Sequence, residues 1–161
     1  MLVKIKNCIF KIIYILVIIY LLIFVPTIWG EKPLVVISGS MEPILNIGGI
    51  LYYHDKDYQK YKVGDVLVYQ LEDHIISHRI YDITENGIIT KGDANNTYDN
   101  LLVNKNQILG QGTNWCIPLL GYYADFIYSH KYLLWICLIF ILIDMTIDKK
   151  KKVGENIEEN N

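Results

Sequence analysis

The sequence predicts a mainly β protein, a small antiparallel sheet or barrel carried on an N-terminal transmembrane helix. Three observations predict it. A long uncharged apolar run opens the chain. Short apolar runs separated by glycines fill its middle. Asn86-Gly87, with apolar residues on both sides, is a strong two-residue hairpin signal. A second apolar run near the C-terminus adds a second transmembrane helix to the expectation.

The first run, Ile12 to Trp29, reads IIYILVIIYLLIFVPTIW and carries no charge. It is long enough for a bilayer, which needs about 20 apolar residues. A cleaved leader is the alternative, but the run exceeds the usual ~7–15 residue core of such leaders, and no small-x-small site follows it. Trp29 reads as an interfacial anchor, and Pro26 lies near the outer end, where a kink is tolerated. The second run, Tyr132 to Ile143, is short for a span and reaches full length only by extending back through Phe126 across Lys131. A buried or interfacial helix is its alternative. Lysines decide the orientation. Lys4, Lys6 and Lys11 flank the first run and Lys149 to Lys152 follow the second, so both termini are expected in the cytoplasm. The expected organisation is residues 1–30 as cytoplasmic N-terminus and transmembrane helix, and 31–131 as an extracytoplasmic β domain. Residues 132–148 follow as a second transmembrane helix and 149–161 as a charged cytoplasmic tail. The closing GENIEENN is polar enough to be disordered.

Residues 31–131 read as strand throughout. Leu34 to Ile37, Ile50 to Tyr53 and VLVYQ after Gly64-Asp65 are short apolar runs, followed by HIISHRIYDITENGIITKGD. Gly48-Gly49, Gly64 and Gly110 punctuate them. The 161 residues allow one modest domain. A net charge of −2 supplies no basic field for nucleic acid. Of three cysteines, Cys8 and Cys137 belong to the apolar helices, which leaves Cys116 without a partner in the β region. Between Trp115 and Ile117 it reads as a small core residue.

Ser38-Gly39-Ser40 follows the first strand in a turn, where a small hydroxyl residue can be held at a surface. On composition alone, such a serine is an ordinary turn residue. A serine nucleophile needs a base and a group that orients the base, and Ser40, His78 and Asp93 or Asp99 supply the types. With Asn86-Gly87 as the turn, Glu85 faces Ile88 and His78 faces Asn95, so His78 and Asp93 are diagonal neighbours about 7–8 Å apart. His74 and His78 form HIISH, but zinc proteases of that spacing need a helix and a Glu directly after the first His. Ile75 stands there, and strand positions four apart lie about 13 Å from each other. No phosphate-binding loop is present. Asn95-Asn96-Thr97 is an N-glycosylation sequon, relevant only in a eukaryotic secretory lumen.

SGSMEP (38–43), KVGDVLVY (62–69), SHRI (77–80) and TKGDANN (90–96) occur in the order of the conserved boxes of type I signal peptidases, and IPLLGY (117–122) is similar to that family's closing segment. The chain most resembles the branch found in the endoplasmic reticulum, archaea and some spore-forming bacteria. The resemblance covers roughly Leu34 to Tyr122 plus the anchor. It implies Ser40 as nucleophile and His78, where the other bacterial branch has lysine, as general base. Asp93 and Asp99 match two acidic positions, either of which can orient the histidine. DANNTYDN lacks the adjacent acidic pair often seen there. The resemblance implies that the Ser38 hydroxyl assists the oxyanion beside the Ser40 N–H, that Gly39 permits the sharp turn, and that Met41 and Pro43 form a membrane-facing lip that meets substrate. It implies no cofactor or metal. Its substrates would be extended signal peptides of exported preproteins, cut after a small-x-small motif at the cell membrane. The lipid bilayer is then a partner, nucleic acid is not, and accessory subunits stay open. The alternative is a catalytically idle membrane-anchored β module that binds or assembles exported proteins.

Overall fold

The computed structural model describes residues 2–159. The chain divides into two compact units, one of residues 23–125 and one that joins the residues up to 22 with those from 126 onward.

The first unit is built on a six-stranded antiparallel sheet in the order β1-β2-β6-β3-β4-β5. The strands are β1 Lys32–Val35, β2 Ile50–His54, β3 Val66–Leu71, β4 His74–Thr84, β5 Gly87–Lys91 and β6 Ile108–Gly112. β3 explains why its sequence is continuously apolar instead of alternating. Val66, Leu67 and Val68 are wholly buried and Tyr69 nearly so, because both faces of the strand are covered. Successive side chains point to opposite faces. Val66 and Val68 pack with Val36, Met41, Leu45 and Leu51, while Leu67 and Tyr69 pack with Tyr61, Ile80, Ile88 and Val103. A third cluster joins Ile23, Ile50 and Tyr52, with Leu120 and Tyr123 against it. The Tyr52 hydroxyl donates to the Ile23 carbonyl at 3.0 Å.

β3 and β4 pair in register from Val66↔Arg79 to Leu71↔His74, which sets His78 opposite Leu67. His78 therefore shares the face of Leu67 and Tyr69. The β4–β5 hairpin departs from the sequence expectation. Its two-residue turn is Glu85-Asn86, and Gly87 lies in the ladder opposite Thr84. A bulge at Tyr81 then shifts the register again, so that Arg79 faces Lys91 and the ladder ends before His78. The displacement has a tertiary cause. Ile88 exchanges both backbone hydrogen bonds with Val103, and a Cβ on residue 87 would lie 2.9 Å from the Val103 carbonyl oxygen. Gly87 takes a φ of +146° there, an angle that glycine alone adopts readily.

The remaining elements are helical, and those up to residue 22 and from 126 onward form the second unit. α1 spans Leu2–Phe24, and a 3₁₀ turn Val25–Trp29 with Pro26 in its first turn leads out of it to Gly30. α2 is Leu120–Ser129 and α3 is Tyr132–Glu159, with the break at His130-Lys131. Among the described residues, the stretch Lys6–Trp29 is long and apolar enough to cross a membrane, while α2 and the apolar part of α3 pass that test only when taken together as one broken span. α3 continues through Glu159, where polar composition predicts disorder. Lysine and glutamate are good helix formers and extend a helix already nucleated by its apolar part. Asn160 and Asn161 of that expected tail lie outside the described residues.

Candidate active site

The β1–β2 pairing runs one residue past β1, through Val36 N–H to Gly49 O at 2.9 Å and Gly48 N–H to Val36 O at 2.8 Å. The chain then leaves the sheet at Ile37, which is 80% exposed, and turns through Ser38 and Gly39. The chain bends at Ser38 and Gly39, and Gly39 does so without a left-handed backbone angle. The turn is made by the Glu42 N–H to Gly39 O bond at 3.1 Å and the Leu45 N–H to Met41 O bond at 3.0 Å. That turn buries Met41 and Leu45 in the core. Met41 is thus held under Ser40 with almost none of its surface exposed, while it also lines the cleft beside the serine. Pro43 is exposed on the outer side of the same turn.

Ser40 is fixed from a second direction. Its carbonyl accepts the Ala94 N–H at 2.9 Å, and a Cβ at Gly92 would lie 2.6 Å from that same carbonyl oxygen. The tip of the segment after β5 thus rests on the serine backbone.

A hydrogen-bonded chain runs through the site. Ser40 Oγ lies 3.0 Å from His78 Nε2, and His78 Nδ1 lies 2.6 Å from Asp99 Oδ2. An ionised carboxylate only accepts, so Nδ1 carries the proton, Nε2 accepts, and the serine hydroxyl donates to it. The His78 and Asp99 side chains retain 12% and 24% of their exposure, a largely screened setting in which such bonds gain strength. Ser38 Oγ is exposed and 3.3 Å from Ser40 Oγ.

Asp99 reaches the imidazole because the segment after β5 folds back along that strand. The Asp99 N–H donates to Thr90 O at 2.8 Å, and Thr90 Oγ1 donates to Asp99 Oδ2 at 2.6 Å. Tyr69 Oη lies 3.2 Å from Thr90 Oγ1 and 3.5 Å from Asp99 Oδ2. Burial pushes the Tyr69 hydroxyl above its ordinary value, so it stays protonated and able to donate. Asp93 goes elsewhere. Arg79 grips it with Nε to Oδ1 at 2.7 Å and Nη2 to Oδ2 at 2.6 Å, while Nη1 donates to Gly64 O and Asn114 Oδ1. The Asp93 hydrogen bonds raise the Arg79 pKa above its ordinary value.

Beside the serine lies a cleft of about 350 Å³ whose walls include Leu34, Val36, Ser38, Ser40, Ile76 and His78. Its sides are two extended segments with free backbone edges. Among the described residues, β1 pairs only with β2, and β4 pairs with β5 only from Arg79 onward, which leaves residues 74–78 open on that side.

No protein-family model matches the chain. Curated relatives do. It is 37% identical over 117 residues to the signal peptidase complex catalytic subunit of Candida albicans, covering 64% of this chain and 70% of that protein. It is 31% identical over 128 residues to Signal peptidase I W of Bacillus subtilis, covering 71% of this chain and 67% of that protein. The chain belongs to the signal peptidase family. To the corresponding catalytic subunit of Lodderomyces elongisporus it is 35% identical over 113 residues, 61% of this chain and 66% of that protein. The chain thus spans about two thirds of the length of the curated relatives it matches. As a signal peptidase family member it is a serine endopeptidase that hydrolyses peptide bonds.

Within that signal peptidase framework, Thr90 and Tyr69 are the polar residues that sequence reasoning passed over. Thr90 lay in view, at the head of the TKGD box. Nothing in the sequence marked its hydroxyl as turned toward Asp99, because that depends on the returning segment. Arg79 was visible beside His78, but its pairing with Asp93 depends on the register of the hairpin.

Proposed function

We propose that this signal peptidase cleaves exported preproteins through Ser40 as nucleophile, His78 as general base and Asp99 as the orienting carboxylate. Ser40 Oγ attacks the scissile carbonyl carbon while its proton passes to His78 Nε2. Asp99 stabilises the imidazolium through Nδ1–H. The Ser40 N–H and the Ser38 hydroxyl face the developing oxyanion. As the C–N bond breaks, Nε2 returns the proton to the leaving amine. Water, deprotonated by the same imidazole, then releases the acyl group and restores Ser40. The observation that carries the reading is the pair of bonds on one imidazole, 3.0 Å to Ser40 Oγ and 2.6 Å to Asp99 Oδ2.

The function is removal of signal peptides. The two open strand edges beside Ser40 suit an extended peptide added between them, and the cleft of about 350 Å³ has room for several of its residues. The stretch Lys6–Trp29 anchors the enzyme in the cell membrane, and the catalytic unit lies on the extracytoplasmic face. Within the helical unit, Lys6 pairs with Asp144 at 2.9 Å. That contact joins the start of α1 to the later part of α3, which supports two antiparallel spans with both termini cytoplasmic. Two of the relatives are named as subunits of a complex, so accessory subunits belong to the proposal. A chain of bonds this complete weighs against an idle binding module.

The test is cleavage of a model preprotein in detergent. Wild type should release the mature fragment, and Ser40→Ala should not. Undiminished cleavage by Ser40→Ala would overturn the proposal.

A further inference from the structure

Three contacts converge on a single oxygen, Asp99 Oδ2. It receives His78 Nδ1–H at 2.6 Å, the Thr90 hydroxyl at 2.6 Å and, more distantly, Tyr69 Oη at 3.5 Å. We propose that Thr90 is a positioning residue for catalysis, a clamp that sets the rotation of the Asp99 carboxylate and through it the tautomer of His78. The proposal rests on the reading of Ser40, His78 and Asp99 as the working triad.

Thr90 is wholly buried, and it is the buried polar residue among the described core residues. It stands opposite Ile80 on β5, on the face that also holds Leu67, Tyr69 and Ile88. A hydroxyl in such a setting is unfavourable unless it is bonded. Its one proton has a charged acceptor in reach, and the 2.6 Å separation is that of a charge-assisted bond. Tyr69 then donates to Thr90 Oγ1, at 3.2 Å the nearer of its two acceptors. The protons form one directed series, Tyr69 to Thr90 to Asp99, met from the other side by His78.

The clamp has two points. Main chain to main chain, Asp99 N–H to Thr90 O at 2.8 Å fixes where Asp99 sits. Side chain to side chain, the Thr90 hydroxyl fixes which way its carboxylate faces. Without the second point, a partly exposed carboxylate on an irregular segment is free to turn toward water. With it, Oδ2 accepts from both sides, Nδ1 keeps the proton, and Nε2 keeps its lone pair for Ser40.

A merely structural threonine and a clamp differ in what they do to kinetics. Thr90→Val keeps the shape and removes the donor, while Thr90→Ser keeps the donor. For full-length enzyme in detergent cutting a model preprotein, Thr90→Val should lower kcat roughly ten- to hundredfold and leave KM within about twofold. Thr90→Ser should retain most of kcat. In an Asp99→Asn background, Thr90→Val should add no further loss, since its target is gone. Wild-type kcat for Thr90→Val, alongside inactive Ser40→Ala and Asp99→Asn, would overturn the clamp and leave the triad standing. Equal losses for Val and Ser, or a full additional loss in the Asp99→Asn background, would also overturn it. Full activity of Ser40→Ala would remove the triad and the clamp together. If Thr90→Val does not fold, Thr90→Ala, which also removes the donor, takes its place. A reduced kcat with unchanged KM supports the clamp, and an unchanged kcat overturns it.

Discussion

Arg79 holds Asp93 by two parallel bonds, 2.7 Å from Nε and 2.6 Å from Nη2. This fork matches a carboxylate in both geometry and charge, and it takes Asp93 away from the histidine next to Arg79 in sequence. The two aspartates therefore have separable roles. Asp99→Asn should lower kcat about 10³- to 10⁴-fold, because an amide at that place favours the wrong tautomer of His78. Asp93→Asn should act mainly on stability, since the Arg79 charge loses its partner in a half-buried site, and a melting curve would show it. Steady-state kinetics of both variants decide the matter. A larger kcat loss for Asp93→Asn would reverse the assignment.

His78 and His74 begin from equal standing in HIISH but occupy different places. His78 lies opposite Leu67 in the interior of the sheet, whereas His74 is exposed at the start of β4 beside the hairpin turn. His78→Ala should abolish nearly all cleavage, and His74→Ala should retain most of it. His78→Lys should give little rescue, because lysine needs a dry site to lose its proton and the Asp99 carboxylate at 2.6 Å from the imidazole would hold a cation in its charged form. Comparable losses at both histidines would argue against the base assignment.

Gly92→Ala isolates the support of the nucleophile. The added methyl would meet the Ser40 carbonyl oxygen at 2.6 Å and the Asn95 side-chain nitrogen at 2.7 Å. A backbone oxygen cannot move aside cheaply, so the bond from Ala94 N–H to Ser40 O must lengthen and the serine must shift. Displacements of about 1 Å can lower rates by roughly 10². A loss of kcat between roughly tenfold and a hundredfold is expected in a protein that still folds by circular dichroism. Full activity would mean that the contact does not position Ser40.

Strand content and a hairpin near Asn86-Gly87 were legible in the sequence, because they follow from apolar patterning and a short turn signal, while the grouping of Ser40 with His78 followed from the resemblance to signal peptidases. The choice between Asp93 and Asp99 was not legible. It hinged on Gly87 moving from turn to ladder under the approach of Val103, and on a bulge at Tyr81. Each is a long-range effect on a short-range signal. The displaced register ends the ladder at Lys91, and Arg79 then competes successfully for Asp93. The burial of Met41 was not legible for a similar reason. Its burial depends on the turn after Ser40 that sets it beside Leu45 in one core cluster, and one apolar residue in a turn is silent about which side it faces.

Tyr61 allows a prediction about alkaline stability that leaves the site untouched. Its hydroxyl is buried without a hydrogen-bond partner among the described residues. Burial first, then the charges of Asp65 and Asp55, push its pKa from 10.0 up to about 12. The unfolded chain therefore ionises Tyr61 before the folded one does. Its contribution to stability is complete below about pH 10 and is lost as pH rises through about 12. Tyr61→Phe should flatten the decline of Tm over that window. At neutral pH it should leave stability unchanged or raise it, since an unpaired buried hydroxyl is removed. A drop in Tm at neutral pH equivalent to more than about 1 kcal/mol would indicate a hidden partner for the hydroxyl.

The Lys6–Asp144 pair bears on topology. Lys6 lies near the start of α1 and Asp144 near the end of the apolar part of α3, and their 2.9 Å contact requires those two ends to lie at one level. If α3 crosses the bilayer, both termini share one side, and the lysines at positions 4, 6, 11 and 149–152 make that side cytoplasmic. A charge pair of this kind at a membrane boundary also resists separation, because either partner alone would face lipid headgroups or hydrocarbon without compensation. In sealed membranes with the catalytic unit facing outward, added protease should spare a C-terminal tag until detergent is supplied. Lys6→Leu should leave that protection in place but loosen the helix pair, which a disulfide scan between α1 and α3 would register as slower cross-linking. Digestion of the tag in intact membranes would instead mean that α3 stays on the outer side, with α1 as the single span. The Lys6–Asp144 contact would then have to be absent in the membrane.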